Sequence, residues 1–335
     1  MDLNAYFVRP FGEDDYDALS RLRIKTSPET PATPAELRHW DALLNDSRYV
    51  NEKWVVEERR TGKMVGFAAL NHSEFSFDPH KFWVDVIVDP DHRRRSIGRA
   101  LGNILESEAG AHRATSFWTT VRKDDARSLD YADRQGFVEL RTSWMSVLDL
   151  ETASPLPVGD RAATFEREGF RFTTLAEEGA SRPEVRQRLF ELMVEASQDV
   201  PRLGEFTPPT PVQFSQELDG PNMIPEAFFL ASYGEIYVAS SNLERDLTLK
   251  DRFWVGFTGT RRAYRGRGLA TELKRRSLEF ARRQGVRYLR TFNDSLNQPM
   301  WAINEKLGFR RKVEWSARER QFRHETTPAP VPPAR

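Results

Sequence analysis

The stretch that decides the fold is YRGRGLA at residues 264–270, which lies between a short apolar segment and a long amphipathic one. Residues 253–258 before it are typical of a strand, and residues 271–283 after it carry apolar side chains at helical spacing. The loop therefore precedes a helix N-terminus, where free backbone N–H groups and the helix dipole favour an anion. Its two glycines let a phosphate approach the backbone, and its two arginines add positive charge. The stretch predicts a pyrophosphate site.

Other kinds of phosphate loop fit the spacing less well. A Walker loop requires Gly-x-x-x-x-Gly-Lys-Ser/Thr, which is absent. A dinucleotide fingerprint requires a third small residue, which Thr271 supplies poorly, within a parallel βαβ unit that the surroundings do not resemble. The pattern that remains is Arg-x-x-Gly-x-Ala over Arg265–Ala270. The alternative without function is a solvated, arginine-rich helix start.

The chain contains the same pattern twice. Phe-Trp-Val occurs at 82–84 and at 253–255, and each copy continues into an arginine-rich segment and a predicted helix. Three landmarks keep one spacing of 172 residues: Arg93 and Arg265 (265−93), Gly98 and Ala270 (270−98), and Gly136-Phe137 and Gly308-Phe309 (308−136). The chain is therefore interpreted as a tandem repeat of one domain of about 150 residues.

We expect an N-terminal domain at 1–150, a linker at 151–168, a C-terminal domain at 169–325 and a disordered proline-rich tail at 326–335. The predicted fold class is mixed α/β (α+β), with a largely antiparallel mixed sheet and helices on both faces in each domain. In the first domain, residues 137–150 are expected to form a pair of strands.

The two loops differ where glycine is expected. Arg94 and Ser96 occupy the positions of Gly266 and Gly268. Side chains at these positions would obstruct close approach of a phosphate to the backbone. We expect the second copy to bind the pyrophosphate group, and the first copy to bind weakly or to serve as structure; alternatively, the extra arginines of the first loop hold the phosphates by charge.

The composition excludes several classes of protein. Lys+Arg 50 balances Asp+Glu 50 in 335 residues, so no bulk charge favours nucleic acid or membrane. Cysteine is absent, which excludes disulfides, cysteine metal sites and a thiol nucleophile. His92 and His112 show no metal-ligand spacing, and no metal is expected. No leader pattern and no apolar run of about 18 residues occurs, so we expect a cytoplasmic protein.

The loop at 265–270, with the downstream runs at 293–297 and 302–309, resembles the GNAT superfamily of N-acetyltransferases, in particular its tandem members. The resemblance covers both halves and implies acetyl-CoA as cofactor, with its pantetheine arm between two splayed strands. It implies cofactor contacts in the second copy from Thr258, Gly259, Thr260, Arg265, Gly266, Arg267, Gly268, Leu269, Ala270, Thr271, Asn293, Asn297 and Asn304. The weaker set in the first copy is Val88, Arg93, Arg94, Arg95, Ser96, Ile97, Gly98 and Arg99.

The resemblance also implies direct acyl transfer to an amine, but it leaves the catalytic groups unassigned. Many members carry a tyrosine four residues before the Gly-Phe pair; here that position is Asn304, and Ala132 in the first copy, beside Tyr131. Weak catalytic candidates are Asn293, Asn304 and Asp199. Asp85, whose counterpart is glycine, is interpreted as a surface carboxylate.

The sequence thus predicts an N-acetyltransferase that uses acetyl-CoA and acts on a small-molecule or peptidyl amine, mainly in the second copy. Two alternatives remain: a non-catalytic acyl-CoA sensor or assembly protein, and an acyltransferase that uses another acyl-CoA or a hydroxyl acceptor. A monomer in which the copies form an intramolecular pseudo-dimer is expected over an obligate oligomer.

Overall fold

The computed structural model describes residues 1–153 and 161–322. The strands are β1 (Tyr6–Pro10), β2 (Asn51–Glu58), β3 (Lys63–Asn71), β4 (Lys81–Val88), β5 (Ser116–Arg122), β6 (Val138–Asp149), β7 (Phe170–Thr174), β8 (Met223–Tyr233), β9 (Ile236–Arg245), β10 (Arg252–Thr260), β11 (Tyr288–Asp294) and β12 (Arg310–Gln321). The helices are α1 (Tyr16–Thr26), α2 (Pro34–Leu43), α3 (Ile97–Ala111), α4 (Ala126–Arg134), α5 (Arg161–Arg167), α6 (Leu175–Glu178), α7 (Pro183–Ser197), α8 (Pro211–Leu218), α9 (Leu269–Arg283) and α10 (Gln298–Lys306).

The described strands form one sheet in the order β1-β2-β3-β4-β5-β12-β6-β11-β10-β9-β8-β7. Two pairs, β4 with β5 and β10 with β11, are parallel, and the other pairs are antiparallel. Each parallel pair flanks the connection that carries an arginine-rich loop and a long helix. The order is symmetric about the boundary between β12 and β6, which is the structural form of the repeat seen in the sequence.

The last strand of each half pairs with the other half. β6 pairs with β11 of the second half, and β12 pairs with β5 of the first half. β6 and β12 also pair with each other, from Arg310 opposite Val147 to Glu319 opposite Val138. The expected strand pair at 137–150 is wrong: one twelve-residue strand, β6, occupies the region, because its partners come from the second half.

Helices cover both faces of the sheet. Ile97, Leu101 and Leu105 recur every four residues along α3 and are buried against β3 and β4 in one core of the first half. On the opposite face, α1 and α2 bury Tyr16, Leu19 and Leu37 in a second core. The second half has the same two layers: Leu269 and Leu273 of α9 are buried in one core, and Leu189 and Leu192 of α7 in the other.

The mixed α/β (α+β) prediction for two tandem copies is confirmed. The proposed domain boundaries stay a prediction; residues 154–160 of the expected linker and the tail at 326–335 lie outside the described residues. Within the described ranges, no helix has the length and apolar character needed to cross a membrane.

Candidate functional site

The second-copy loop has the backbone that its glycines predict. It follows a 3-10 turn at Arg262–Tyr264, and α9 begins at Leu269. Gly266 has φ 77° and Gly268 has φ 90°, both in the left-handed region. A glycine adopts this conformation without a steric penalty. The loop thus presents its backbone at the N-terminus of α9.

The first-copy loop has the same backbone without the glycines. Arg94 has φ 61° and Ser96 has φ 60°, and α3 begins directly after Ser96. Left-handed conformations at such residues cost on the order of 1–3 kcal/mol each and are often retained at functional sites. The missing glycines therefore leave the shape of the loop unchanged, and the retained strain indicates a role for that shape.

The arginines of the two loops have different partners. Arg265 donates through Nε to the Thr260 carbonyl at 3.1 Å and forms an ion pair with Asp199 at 2.7 Å. Its counterpart Arg93 makes the equivalent bond to the Val88 carbonyl, at 3.4 Å. Among the described residues, however, neither Arg93 nor Arg94 has a carboxylate within ion-pair distance, although the charge of Arg93 helps to lower the pKa of Asp125. The positive charge of the first loop is therefore available to an anion.

Asp199 forms ion pairs with the arginines beside the second loop. Its carboxylate pairs with Arg262 at 2.6 Å as well as with Arg265. Hydrogen bonds from these two guanidinium groups hold the pKa of Asp199 well below its usual range. A carboxylate of this kind is a poor proton acceptor, so the structure does not support Asp199 as a general base.

Both parallel strand pairs open at equivalent points. Pairing between β4 and β5 ends at Trp83 opposite Trp118, and pairing between β10 and β11 ends at Trp254 opposite Arg290. Beyond these points the strands separate and leave a gap in the sheet. The expectation that the strand before each loop and the strand after its helix splay apart is met by this geometry.

The first gap leads into a cavity of about 1350 Å³, called here the first-copy cavity. On one face of the sheet it is lined by the loop, by α4 and by Val84 and Val86; on the other it is lined by α1, α2 and Phe67. Because both faces contribute, the cavity passes between β4 and β5. The residues expected to contact the cofactor that line it are Val88, Arg93, Arg94, Ser96, Ile97, Gly98 and Arg99. Arg95 instead donates to the Tyr6 hydroxyl at 2.6 Å.

Polar groups lie along the middle of the first-copy cavity. Asp85 pairs with Arg23 of α1 at 2.6 Å, and both residues line the cavity. Asp85 is therefore part of a cavity wall, and its side chain remains 41% exposed. On the loop side, the Tyr131 hydroxyl donates to the Gly98 carbonyl at 2.9 Å. Burial raises the pKa of Tyr131, so its hydroxyl keeps its proton.

A β-bulge lies in β10, the strand that borders the second gap. The second copy has one residue more than the first between the Phe-Trp-Val motif and the loop, because Phe82 and Phe253 are 171 residues apart (253−82) whereas the loops are 172 apart. The pairing of β10 with β9 shifts by one residue between Val255 and Thr258. This β-bulge directs the ring of Phe257 over Gly259, where a Cβ would lie 2.4 Å from the ring. The bulge thus accounts for the extra residue and places the Phe257 ring beside Gly259, on the face of the sheet that α7 covers.

Asn293 and Asn304 meet in a buried polar network beside this gap. Asn304 donates to Asn293 at 2.6 Å and accepts from the Lys274 ammonium at 2.8 Å. Asn304 has no exposed surface and Lys274 is 2% exposed. Burial lowers the pKa of Lys274 to about 7. These side chains satisfy one another inside the core, and contact of either asparagine with cofactor or substrate stays a prediction.

Two other residues predicted to contact the cofactor in the second copy make contacts within the protein. Asn297 caps α10 by accepting from the Met300 N–H at 3.3 Å, and the Thr258 hydroxyl lies 2.9 Å from the Ser241 hydroxyl. A cavity of about 500 Å³ beside the loop includes Arg267 but no residue of the splayed strand ends. The geometry therefore favours the first copy as the candidate site, against the expectation drawn from its missing glycines.

Several wall residues of the first-copy cavity carry no sequence motif. They include Tyr16, Trp40, Glu74 and, from the second half, Phe292 and Trp315. The exchange of β6 and β12 between the halves brings Phe292 and Trp315 to this cavity, so the sequence of either repeat alone does not predict their position. Trp83 also lines it.

Elsewhere, Glu52, Glu108 and His112 place ligand atoms within 4.8 Å of one another, which would suit a metal ion; β2 and α3 bring them together.

The sequence of the chain is similar to known acetyltransferases. A family model described as the acetyltransferase (GNAT) family matches residues 16–137 and 192–309. A mycothiol acetyltransferase of Corynebacterium glutamicum is 26% identical over 247 residues, which are 74% of this chain and 75% of that protein.

Solved structures show the same fold. A tandem GNAT protein from the clavulanic acid biosynthesis pathway superposes with a TM-score of 0.71 at 20% identity, covering 94% of this chain and 98% of the other. A GCN5-related N-acetyltransferase from Sphaerobacter thermophilus gives 0.68 at 19% identity, covering 94% and 95%.

Proposed function

Because the chain belongs to the GNAT acetyltransferase family, we propose that it transfers the acetyl group of acetyl-CoA to an amine, and that the first copy performs the reaction. The observation that carries this proposal is the first-copy cavity, which joins the loop at 93–99 to both faces of the sheet. The route between β4 and β5 lets two substrates meet from opposite faces. An acyltransferase requires such a meeting point for its donor and acceptor.

The residues of the first loop fit an acyl-CoA. Backbone N–H groups at the start of α3, together with Arg93 and Arg94, would hold the pyrophosphate. The gap beyond Trp83 and Trp118 would take the extended pantetheine arm. Bound acetyl-CoA supplies the thioester whose carbonyl carbon the amine attacks. In the second copy, the ion pair between Arg265 and Asp199 opposes binding of an anion.

The side chains in the cavity suit proton transfer. An alkylammonium has a pKa of about 10.4, so it must lose a proton before the nitrogen attacks. We assign Asp85 to accept that proton, directly or through water, because it lines the cavity and pairs with a single arginine, Arg23, whereas Asp199 pairs with two. As the C–N bond forms and the C–S bond breaks, the nitrogen releases its second proton and the thiolate takes up one, while the first proton leaves Asp85 for solvent. Tyr131, whose raised pKa keeps it protonated, is the donor we assign.

The direct test is release of free CoA thiol from acetyl-CoA in the presence of a panel of primary amines. We expect thiol release that depends on both the amine and the protein, with an acetylated amine as the second product. Thermal stabilisation by acetyl-CoA with no thiol release from any amine would contradict an enzyme and favour the acyl-CoA sensor. Turnover with alcohols or longer acyl chains alone would replace the amine or the acetyl group in the proposal.

A further inference from the structure

Three side chains with metal-ligand atoms meet between β2 and the C-terminal end of α3. Glu108 and His112 lie one helical turn apart, and the backbone N–H of His112 donates to the Glu108 carbonyl at 2.9 Å. Residues four apart on a helix project from the same face. Glu52 of β2 completes the group, so that a nitrogen and two carboxylate oxygens lie within 4.8 Å of one another. The group was not predicted from the sequence, because Glu52 and His112 are 60 residues apart.

Glu52 is the acidic member of a strand face that packs on α3. Side chains alternate between the two faces of a strand, so Val50, Trp54 and Val56 share the face of Glu52. All three belong to or pack against the core that also contains Leu105 of α3. The strand therefore directs a carboxylate towards the end of this helix.

The contacts within the group leave acceptor atoms unused. Glu52 Oε1 lies 3.1 Å from His112 Nε2, but Glu52 Oε2 is buried and has no hydrogen-bond partner. Within residues 1–153 and 161–322, the Glu108 carboxylate forms no ion pair and no hydrogen bond. Two like charges and an unsatisfied acceptor are destabilising, and one cation bound between them would remove both costs. The His112 and Glu52 side chains are 28% and 38% exposed, so an ion can reach them from solvent.

The end of α3 itself attracts a cation. The C-terminal end of a helix carries partial negative charge from its dipole and its free carbonyl groups. The last turn of α3 contains no basic residue, and His112 is its C-cap. Arg113 follows, but within the described ranges it forms no ion pair with Glu52 or Glu108. The helix end thus adds to the negative potential of the two carboxylates.

We propose that Glu52, Glu108 and His112 bind one Zn²⁺ ion, with water as the fourth ligand. Zinc takes histidine nitrogen and carboxylate oxygen at about 2.0–2.2 Å, and two such donors at a tetrahedral angle lie about 3.3 Å apart. The 3.1 Å between Glu52 Oε1 and His112 Nε2 is close to this separation. The imidazole favours zinc over Ca²⁺ and Mg²⁺, which prefer oxygen ligands.

The bound ion fastens β2 to the end of α3. This end is distant from the loop at 93–99, because the fifteen residues of α3 span about 22 Å. Binding of Zn²⁺ therefore does not depend on acyl transfer, and it can be tested whether or not the protein is an acetyltransferase.

The test is calorimetric titration of Zn²⁺ into the untagged full chain, after removal of metals with a chelator. The proteins are wild type, His112→Gln, Glu108→Gln and the control Glu106→Gln, which removes a carboxylate of the same helix that pairs with Arg320 instead. We expect one Zn²⁺ per chain in wild type and control. Binding should be at least tenfold weaker in the other two variants, since losing a group that only supports a metal ligand already costs about 10–100-fold.

Thermal unfolding is the second readout. Zn²⁺ should raise the midpoint of unfolding of wild type and Glu106→Gln, and raise it less in the other two variants, because a ligand stabilises the folded state that binds it. The same curves without Zn²⁺ show whether each variant is folded. Glu108→Gln conserves the size of the side chain and keeps the test decisive if His112→Gln does not fold.

Several outcomes would overturn the zinc site. Absence of Zn²⁺ binding in wild type does so directly. Binding of equal strength in all four proteins, or weakened to the same extent by all three substitutions, would mean that the ion binds elsewhere. Binding that folded His112→Gln or Glu108→Gln leaves unchanged would exclude that residue as a ligand and contradict the three-ligand arrangement.

Discussion

Replacing Asp85 by asparagine is expected to lower kcat for amine acetylation by about 10²–10³-fold at pH 7, the usual range for loss of a general base. The amide keeps the size of the carboxylate and can still contact Arg23, but it cannot accept the ammonium proton. At pH 10 a large share of an alkylamine is already free base, so the defect of the variant should shrink. The measurement is the pH profile of kcat for Asp85→Asn against wild type.

The pH profile distinguishes a proton acceptor from a residue that only supports the cavity. Asp251→Asn, which removes a carboxylate paired with the adjacent Arg252 outside the cavity, serves as the control and should leave the profile unchanged. A defect of Asp85→Asn that is equally large at pH 7 and pH 10 would mean that Asp85 positions Arg23 or the acceptor. Unchanged activity would exclude Asp85 from the reaction.

The second large effect concerns stability and Lys274. Its pKa in the folded protein is lowered from 10.5 to about 7 by burial, so the unfolded chain binds more protons between these values. The free energy of unfolding therefore rises with pH across this window. The penalty is fully present below about pH 7, is lost above about pH 10.5, and is on the order of 5 kcal/mol at most.

Lys274→Met should remove this dependence. Methionine fills a similar volume without a charge, so we expect a higher midpoint of unfolding at pH 6 and a flatter dependence of stability on pH between 7 and 10. The loss of the bond to Asn304 reduces the gain by about 1–3 kcal/mol. Lys274→Met/Asn304→Leu removes both partners and should separate the effect of the buried charge from that of the lost hydrogen bond. Denaturant unfolding from pH 6 to pH 10 measures the free energy of unfolding of each variant. An unchanged pH slope in Lys274→Met would contradict the assignment of this pH dependence to Lys274.

The sequence predicts the repeat and the position of both loops because these depend on local patterns. A strand, an arginine-rich turn and an amphipathic helix are encoded within about 30 residues, and a second copy repeats them at a fixed spacing. The sequence does not show which of the two loops has an arginine that is paired with a carboxylate. Asp199 lies 66 residues before Arg265 (265−199), and only the folded chain brings the two together.

The missing glycines did not predict the backbone conformation of the first loop. The absence of glycine suggested a degenerate loop, yet Arg94 and Ser96 adopt the left-handed conformation that glycine adopts in the second copy. Strain of this size is small against the packing of α3, so the fold can impose it. The wall of the first-copy cavity could not be predicted from the sequence for a different reason: Glu74, Trp40 and Phe292 belong to no motif, and the exchange of β6 and β12 determines which residues meet.

Calorimetric titration of acetyl-CoA into wild type and two matched variants, Arg93→Ala and Arg265→Ala, shows directly which copy binds the cofactor. The two arginines occupy the same position in the repeat and make the same bond to a strand carbonyl. We predict one site per wild-type chain, at least tenfold weaker in Arg93→Ala and unchanged in Arg265→Ala. A site weakened by Arg265→Ala and unaffected by Arg93→Ala would place the cofactor in the second copy and contradict the account.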